Sequence, residues 1–274
     1  MNADRLRSWQ FPRHILCAAG GLALLAALAG CANPVHGGLS ADPVTASDEA
    51  PARQRARLRL ELAVGYFEEG RTEIALDELK QVLGTDPDYA AAYNLRGLIY
   101  MRLQQPRLAQ ESFRRALELS PADADLLHNY GWLLCQQGQY AQGEALFQRA
   151  LALPAYGARA KTLMTQGLCQ IRAGQPAQAE ASLLRAYELD ASHPVTGYNL
   201  ASLMLQRGEL TRARFYIRRL NNSESANAES LWLGIRIEQG LGDQVAMNQL
   251  AEQLRKRYPQ SRELAAFDRG AFHE

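Results

Sequence analysis

The chain has 274 residues, of which 47% are hydrophobic and 22% charged, and a formal net charge of +1. This is ordinary for a soluble protein, and with no strong field of either sign nucleic acid is not an expected partner. The bulk numbers select no function beyond that.

The first thirty residues stand apart from the rest. Arg5, Arg7 and Arg13 precede an uncharged apolar run from Ile15 to Ala29, which is the order of a secretory signal peptide. The run is about 15 residues, shorter than the roughly 20 of a membrane-spanning helix, so cleavage is expected over an uncleaved span. Leu28-Ala29-Gly30-Cys31 then resembles a bacterial lipobox. The resemblance implies residues 1–30 as a lipoprotein signal peptide, diacylglyceryl transfer to Cys31 and cleavage before it. The alternative is a chance cysteine near a signal cleavage site. Ala32, in place of Asp, implies by likeness to enterobacterial lipoproteins sorting to the outer membrane. Removal of Arg5, Arg7, Arg13 and Asp4 takes the 30 basic and 29 acidic residues to 27 and 28, which makes polyanion binding still less expected. Residues 31–55 read as the lipidated cysteine and a flexible tether rich in Ala, Pro, Ser, Asp and Gly.

A period of about 34 residues then organises residues 56–259. Small residues recur as Ala63, Gly97, Gly131, Gly167, Ala201 and Gly234, at separations of 34, 34, 36, 34 and 33. A second small series follows each by twelve positions, as Ala75, Ala109, Gly143, Ala179, Ala213 and Ala246, where a partner helix must approach. Pro87, Pro121 and Pro154 end the second helix of the early repeats. This is the tetratricopeptide pattern, with an irregular helical bundle as the alternative. The expected fold is all-α, a right-handed superhelical array of about six tetratricopeptide repeats, each an amphipathic helix pair. Gly70, Gly138, Gly174 and Gly208 mark the turn within a repeat, and Gln105-Pro106 stands there in the second. Residues 153–159 should form an enlarged loop between repeats three and four, and residues 260–274 a C-terminal tail.

In such arrays the first helices line the concave surface. Their usual groove positions hold Leu60, Val64, Phe67, Asn94, Leu98 and Met101 in the early repeats, an apolar strip of the kind that marks a partner site, followed by His128 and Trp132. The alternative is a register one residue out, which would place these side chains in the core.

No nucleophile elbow, phosphate-cradling glycine loop or His-Glu-x-x-His zinc sequence is present, and the five histidines are scattered singly. The expectation is therefore no catalytic activity, small-molecule substrate, cofactor or metal. Once Cys17 leaves with the signal and Cys31 is acylated, Cys135 and Cys169 remain. In an oxidising periplasm an even pair invites a disulfide, with two buried free thiols as the alternative.

The run from Leu127 to Tyr140, Leu-His-Asn-Tyr-Gly-Trp-Leu-Leu-Cys-Gln-Gln-Gly-Gln-Tyr, resembles the type IV pilus biogenesis and stability family, the PilF/PilW pilotins. The stretches Gly167–Gly174 and Ala228–Asp243 are similar to that family's fourth and last repeats, with Asn129, Cys135, Cys169, Trp232 and Arg236 as the discriminating residues. The resemblance implies an outer-membrane lipoprotein, its repeat domain in the periplasm, that binds the PilQ secretin subunit and promotes its insertion and multimerisation without catalysis. The competing expectation is a general envelope scaffold that docks peptidoglycan enzymes or other periplasmic complexes.

Overall fold

A computed structural model describes residues 50–272, and every regular element among them is an α-helix. Thirteen helices follow one another in the described residues. The six pairs are α1 (Pro51–Glu68) with α2 (Thr72–Thr85), α3 (Ala90–Arg102) with α4 (Pro106–Leu119), α5 (Ala124–Gln136) with α6 (Tyr140–Ala152), α7 (Arg159–Arg172) with α8 (Pro176–Leu189), α9 (Pro194–Gln206) with α10 (Leu210–Asn221), and α11 (Ala228–Gly240) with α12 (Gln244–Arg257). A last short helix, α13 (Arg262–Asp268), follows them. This is the expected tetratricopeptide superhelix of six repeats. The signal peptide, Cys31 and most of the tether lie outside the described residues. Residues 51–55, assigned to the tether, are the first turns of α1.

Each helix pair is joined by the same turn. The chain passes through one left-handed residue, and the next amide bonds back to a carbonyl five residues earlier, as in Arg71 N–H to Tyr66 O and Asp243 N–H to Glu238 O. Glycine fills the left-handed position at 70, 138, 174, 208 and 242, where no Cβ opposes a positive φ. In the second repeat Gln104 takes that position at φ +55°, one residue before the expected Gln105-Pro106. A side chain there strains the backbone by about 1–2 kcal/mol. Gln104→Gly should relieve more than the added flexibility of the unfolded chain costs, raising stability by about 0.5–1 kcal/mol. A urea midpoint that fails to rise would show the turn to be unstrained.

The packing unit is a small residue on the first helix and a large one sixteen positions later on the second. Ala63 meets Leu79, Gly97 meets Phe113, Gly131 meets Phe147, Gly167 meets Leu183 and Ala201 meets Ile217; the five large side chains are all at most 1% exposed. A Cβ on Gly97 would come within 2.6 Å of the Phe113 ring. In repeat three both small positions are glycine, and a Cβ on Gly143 would stand 2.8 Å from the Gly131 carbonyl oxygen, so backbone lies against backbone. In the sixth repeat the step of sixteen still pairs small with large, a Cβ on Gly234 standing 3.0 Å from Leu250, and one position on Ile235 of α11 and Ala251 of α12 are buried as well. The second small-residue series is corrected at its end: Ala246 is only half-buried and Met247 takes the inward position. The turn spacing from Gly208 to Gly242 stays at 34, whereas Gly234 falls one residue short of it.

The odd-numbered helices touch one another in succession from α1 to α13, and no comparable contact joins successive even-numbered helices among the described residues. The odd helices therefore form the inner layer and the even ones the outer. Residues 260–274, expected as a tail, instead include α13. Ser261 caps it by accepting from the Leu264 amide, and Leu264, Phe267 and Phe272 pack on the core of the sixth repeat.

Candidate partner-binding surface

The predicted strip lies on the first helices, and its members are covered unequally. Val64 is 36% exposed. Leu60 and Phe67 are half-buried against the Leu79–Val82 core, and the Arg102 guanidinium sits 3.7 Å from the centre of the Phe67 ring. Leu98 and Met101 are half-buried against Phe113 and Leu133. Asn94 accepts a hydrogen bond from the Asn129 amide of the next repeat at 3.1 Å, so it ties α3 to α5. Trp132 is half-buried beside Cys135, Phe147 and Cys169, with the Arg172 guanidinium 4.7 Å from its ring. The strip is thus an edge between core and solvent.

His128 is a correction. It is 5% exposed, between α5 and α7, and not available to a partner. Its Nδ1 lies 2.9 Å from the Thr162 hydroxyl, which in turn is 2.6 Å from the Tyr156 hydroxyl. Tyr156 comes from the enlarged loop between α6 and α7, which the two extra residues in the repeat spacing create, and the three groups pin that loop to the core. Burial, and then the nearby Lys161 charge, lower the His128 pKa to about 4, so the ring is neutral in the folded protein at physiological pH.

Cys135 and Cys169 are joined in a disulfide, with their Cα atoms 5.8 Å apart and both residues at most 2% exposed. Neighbouring first helices usually pack about 8–10 Å apart. Both residues project from α5 and α7 toward each other, and this closes the gap. The bond crosses the seam spanned by the enlarged loop.

The exposed apolar surface clusters where the strip does, and extends beyond it. Of the ten large hydrophobic side chains that stand exposed among the described residues, six lie in the first two repeats: Leu58, Leu62, Val64, Ile74, Leu103 and Leu108. Leu58 and Leu62 are 51% and 54% exposed, one turn apart on the side of α1 turned away from Leu60 and Phe67. Ile74 and Leu108 occupy equivalent positions at the starts of α2 and α4. The i, i+4 spacing of Leu58, Leu62 and Tyr66 reads as the core-facing stripe of an amphipathic helix, but Leu58 and Leu62 face solvent and Ala56 and Ala63 take the core positions of α1. Five of the seven guanidinium–aromatic pairs among the described residues, from Arg53 on Tyr89 to Arg115 on Tyr93, also fall in these repeats. Ordered Arg and Tyr side chains beside exposed leucines are the composition of protein-binding hot spots. Among the described residues no group of three or more His, Cys, Asp or Glu side chains is placed to hold a metal, and no helix is long and apolar enough to cross a membrane.

Comparison with known proteins agrees with this geometry. Profiles of the tetratricopeptide repeat match residues 95–158 and, as a TPR repeat, residues 65–104. The type IV pilus assembly protein PilF of Pseudomonas aeruginosa is 30% identical over 230 residues, covering 82% of this chain and 91% of its own. The chain belongs to the PilF/PilW family. The crystal structure of PilW, described as a widely conserved type IV pilus biogenesis factor, superposes with a TM-score of 0.72 at 31% identity over 78% of this chain and 98% of that one. A structure of P. aeruginosa PilF superposes equally well, at 29% identity over 80% and 99% of the two chains. Family membership makes this chain a tetratricopeptide protein of type IV pilus biogenesis, as the third-repeat residues had suggested.

Proposed function

We propose that this chain is an outer-membrane lipoprotein pilotin, held to the membrane by acyl chains on Cys31, that binds the type IV pilus secretin PilQ and promotes its outer-membrane targeting and multimerisation. The observation that carries the binding half of this reading is the concentration of exposed apolar side chains in repeats one and two, six of the ten among the described residues, a clustering of the kind that marks a protein contact. The family supplies the pilus context, and the lipobox residues supply the membrane. The mechanism is physical rather than catalytic. Two or three acyl chains bind a bilayer far more firmly than one, and a secretin segment held on the repeats is brought where its barrel must assemble, at raised effective concentration.

Two variants test the two halves separately. Cys31→Ser should leave secretin binding intact in extracts but mislocalise the protein and reduce secretin multimers in the outer membrane. Normal multimers in that strain would refute delivery. Leu62→Asp with Val64→Asp changes only exposed positions, so helix content should hold while secretin affinity falls by at least about tenfold, the equivalent of one lost hot-spot contact. Unchanged affinity would move the contact off repeat one.

A further inference from the structure

The far end of the inner layer holds a second feature that the amino-terminal surface leaves unused. α9, α11 and α13 enclose an open cleft of about 450 Å³. Its apolar part is Trp232, whose ring stacks on Phe272 with centroids 5.5 Å apart, together with Leu233 and Ala266. Its charged part is three arginines. Arg262, exposed at the rim, donates to Glu229 at 2.9 Å and to Glu263 at 2.7 Å. Arg236 spends one donor, Nε–H, on the Phe272 carbonyl at 2.8 Å. It has no carboxylate partner, and Arg269, exposed at the mouth, has none among the described residues. With both carboxylates turned toward Arg262, two guanidiniums remain to face an incoming group, beside an aromatic wall.

We infer that this cleft is a peptide-binding site for an acidic segment of a partner protein, in which a carboxylate meets Arg236 and Arg269 while an adjacent aromatic or aliphatic side chain lies against Trp232. A guanidinium fork recognises a carboxylate with paired, charge-assisted hydrogen bonds, and the indole face adds apolar area. α13 creates the site: without it α11 would present an open slope carrying Glu229, Trp232, Leu233 and Arg236. The site stands at the opposite end of the inner layer from repeats one and two, so the inference does not depend on what binds there.

The test uses the full chain in detergent and a fluorescein-labelled peptide, Gly-Asp-Trp-Glu-Gly, read by anisotropy against its amide counterpart, Gly-Asn-Trp-Gln-Gly. The acidic peptide should bind at least about tenfold tighter, the least that a charge-assisted hydrogen bond implies. Arg269→Glu should remove that preference; Arg269 is exposed and its side chain makes no hydrogen bond or ion pair among the described residues, so the fold survives the change. Lys256→Glu, an equal charge change outside the cleft, should leave it intact. Leu62→Asp with Val64→Asp should also leave it intact, which separates this site from the secretin surface. Equal binding of the two peptides, or an unchanged preference in Arg269→Glu, overturns the inference. So does displacement of the peptide by low-millimolar inorganic phosphate, which would make the cleft a simple anion site.

Discussion

Replacing Cys135 and Cys169 together by alanine should lower the unfolding free energy by about 3–4 kcal/mol, the chain-entropy value for a loop of this length. The bond closes a separation of 34 residues, one full repeat, so the constraint it places on the unfolded chain is that of an entire helix pair. The folded side should change little. Cys135 lies at the close α5–α6 contact, where a Cβ on Gly143 would already be 3.4 Å from the Cys135 amide nitrogen, and these two helices have no room to move inward. Denaturation of the wild type with and without a thiol reductant, beside the double variant, measures this. Reduction should reproduce the variant's midpoint once the protein is unfolded enough to admit the reductant, because both residues are at most 2% exposed. Midpoints unmoved in both cases would mean the pair contributes nothing to stability.

Acidification should cost the wild type about 3 kcal/mol more than a His128→Asn variant between pH 6.5 and pH 4. The sign follows from where the proton binds. The folded pKa is about 4 and the ordinary value 6.5, so the unfolded chain takes up a proton first as the pH falls. The contribution of the neutral ring is complete above pH 6.5 and is lost progressively toward pH 4. Asparagine has nothing to titrate there, so the variant, whatever its starting stability, must show a flatter profile through this window. Carboxylates elsewhere titrate alike in both proteins and cancel in the difference. Parallel profiles would show that His128 is protonated in the folded state, against its burial beside Thr162 and Tyr156.

What could be read from the residues was whatever repeats. The turn glycines, the small residues of the first five pairs and the 36-residue step that enlarges one loop are local signals, each set by sterics within a helix pair, and they locate the fold and the loop; the Cys135–Cys169 pairing rests instead on the even cysteine count, which alone leaves two free thiols as the alternative. What could not be read depends on contacts between repeats. On a helix one residue of register is a rotation of about 100°, so a period alone leaves a position such as 128 undecided between groove and seam. Only the Thr162 hydroxyl of the next repeat places His128 in the seam. The sixth repeat departs for a related reason: Gly234 keeps a large partner, Leu250, sixteen positions on, but Met247 rather than Ala246 takes the inward position on α12. α13 carries legible signals in Ser261 as a cap and in Leu264, Phe267 and Gly270, yet it falls outside the 34-residue period.

The two ends of the array are finished differently. At one, α13 and Phe272 close over the last pair; at the other, Leu58 and Leu62 of α1 stand half or more exposed. In a stack whose members are stabilised by their neighbours, the first pair has one neighbour among the described residues and the last has a lid. The molecule therefore has a polarity. Fraying should begin at α1, and a partner that seats on its leucines does for the first repeat what α13 already does for the last.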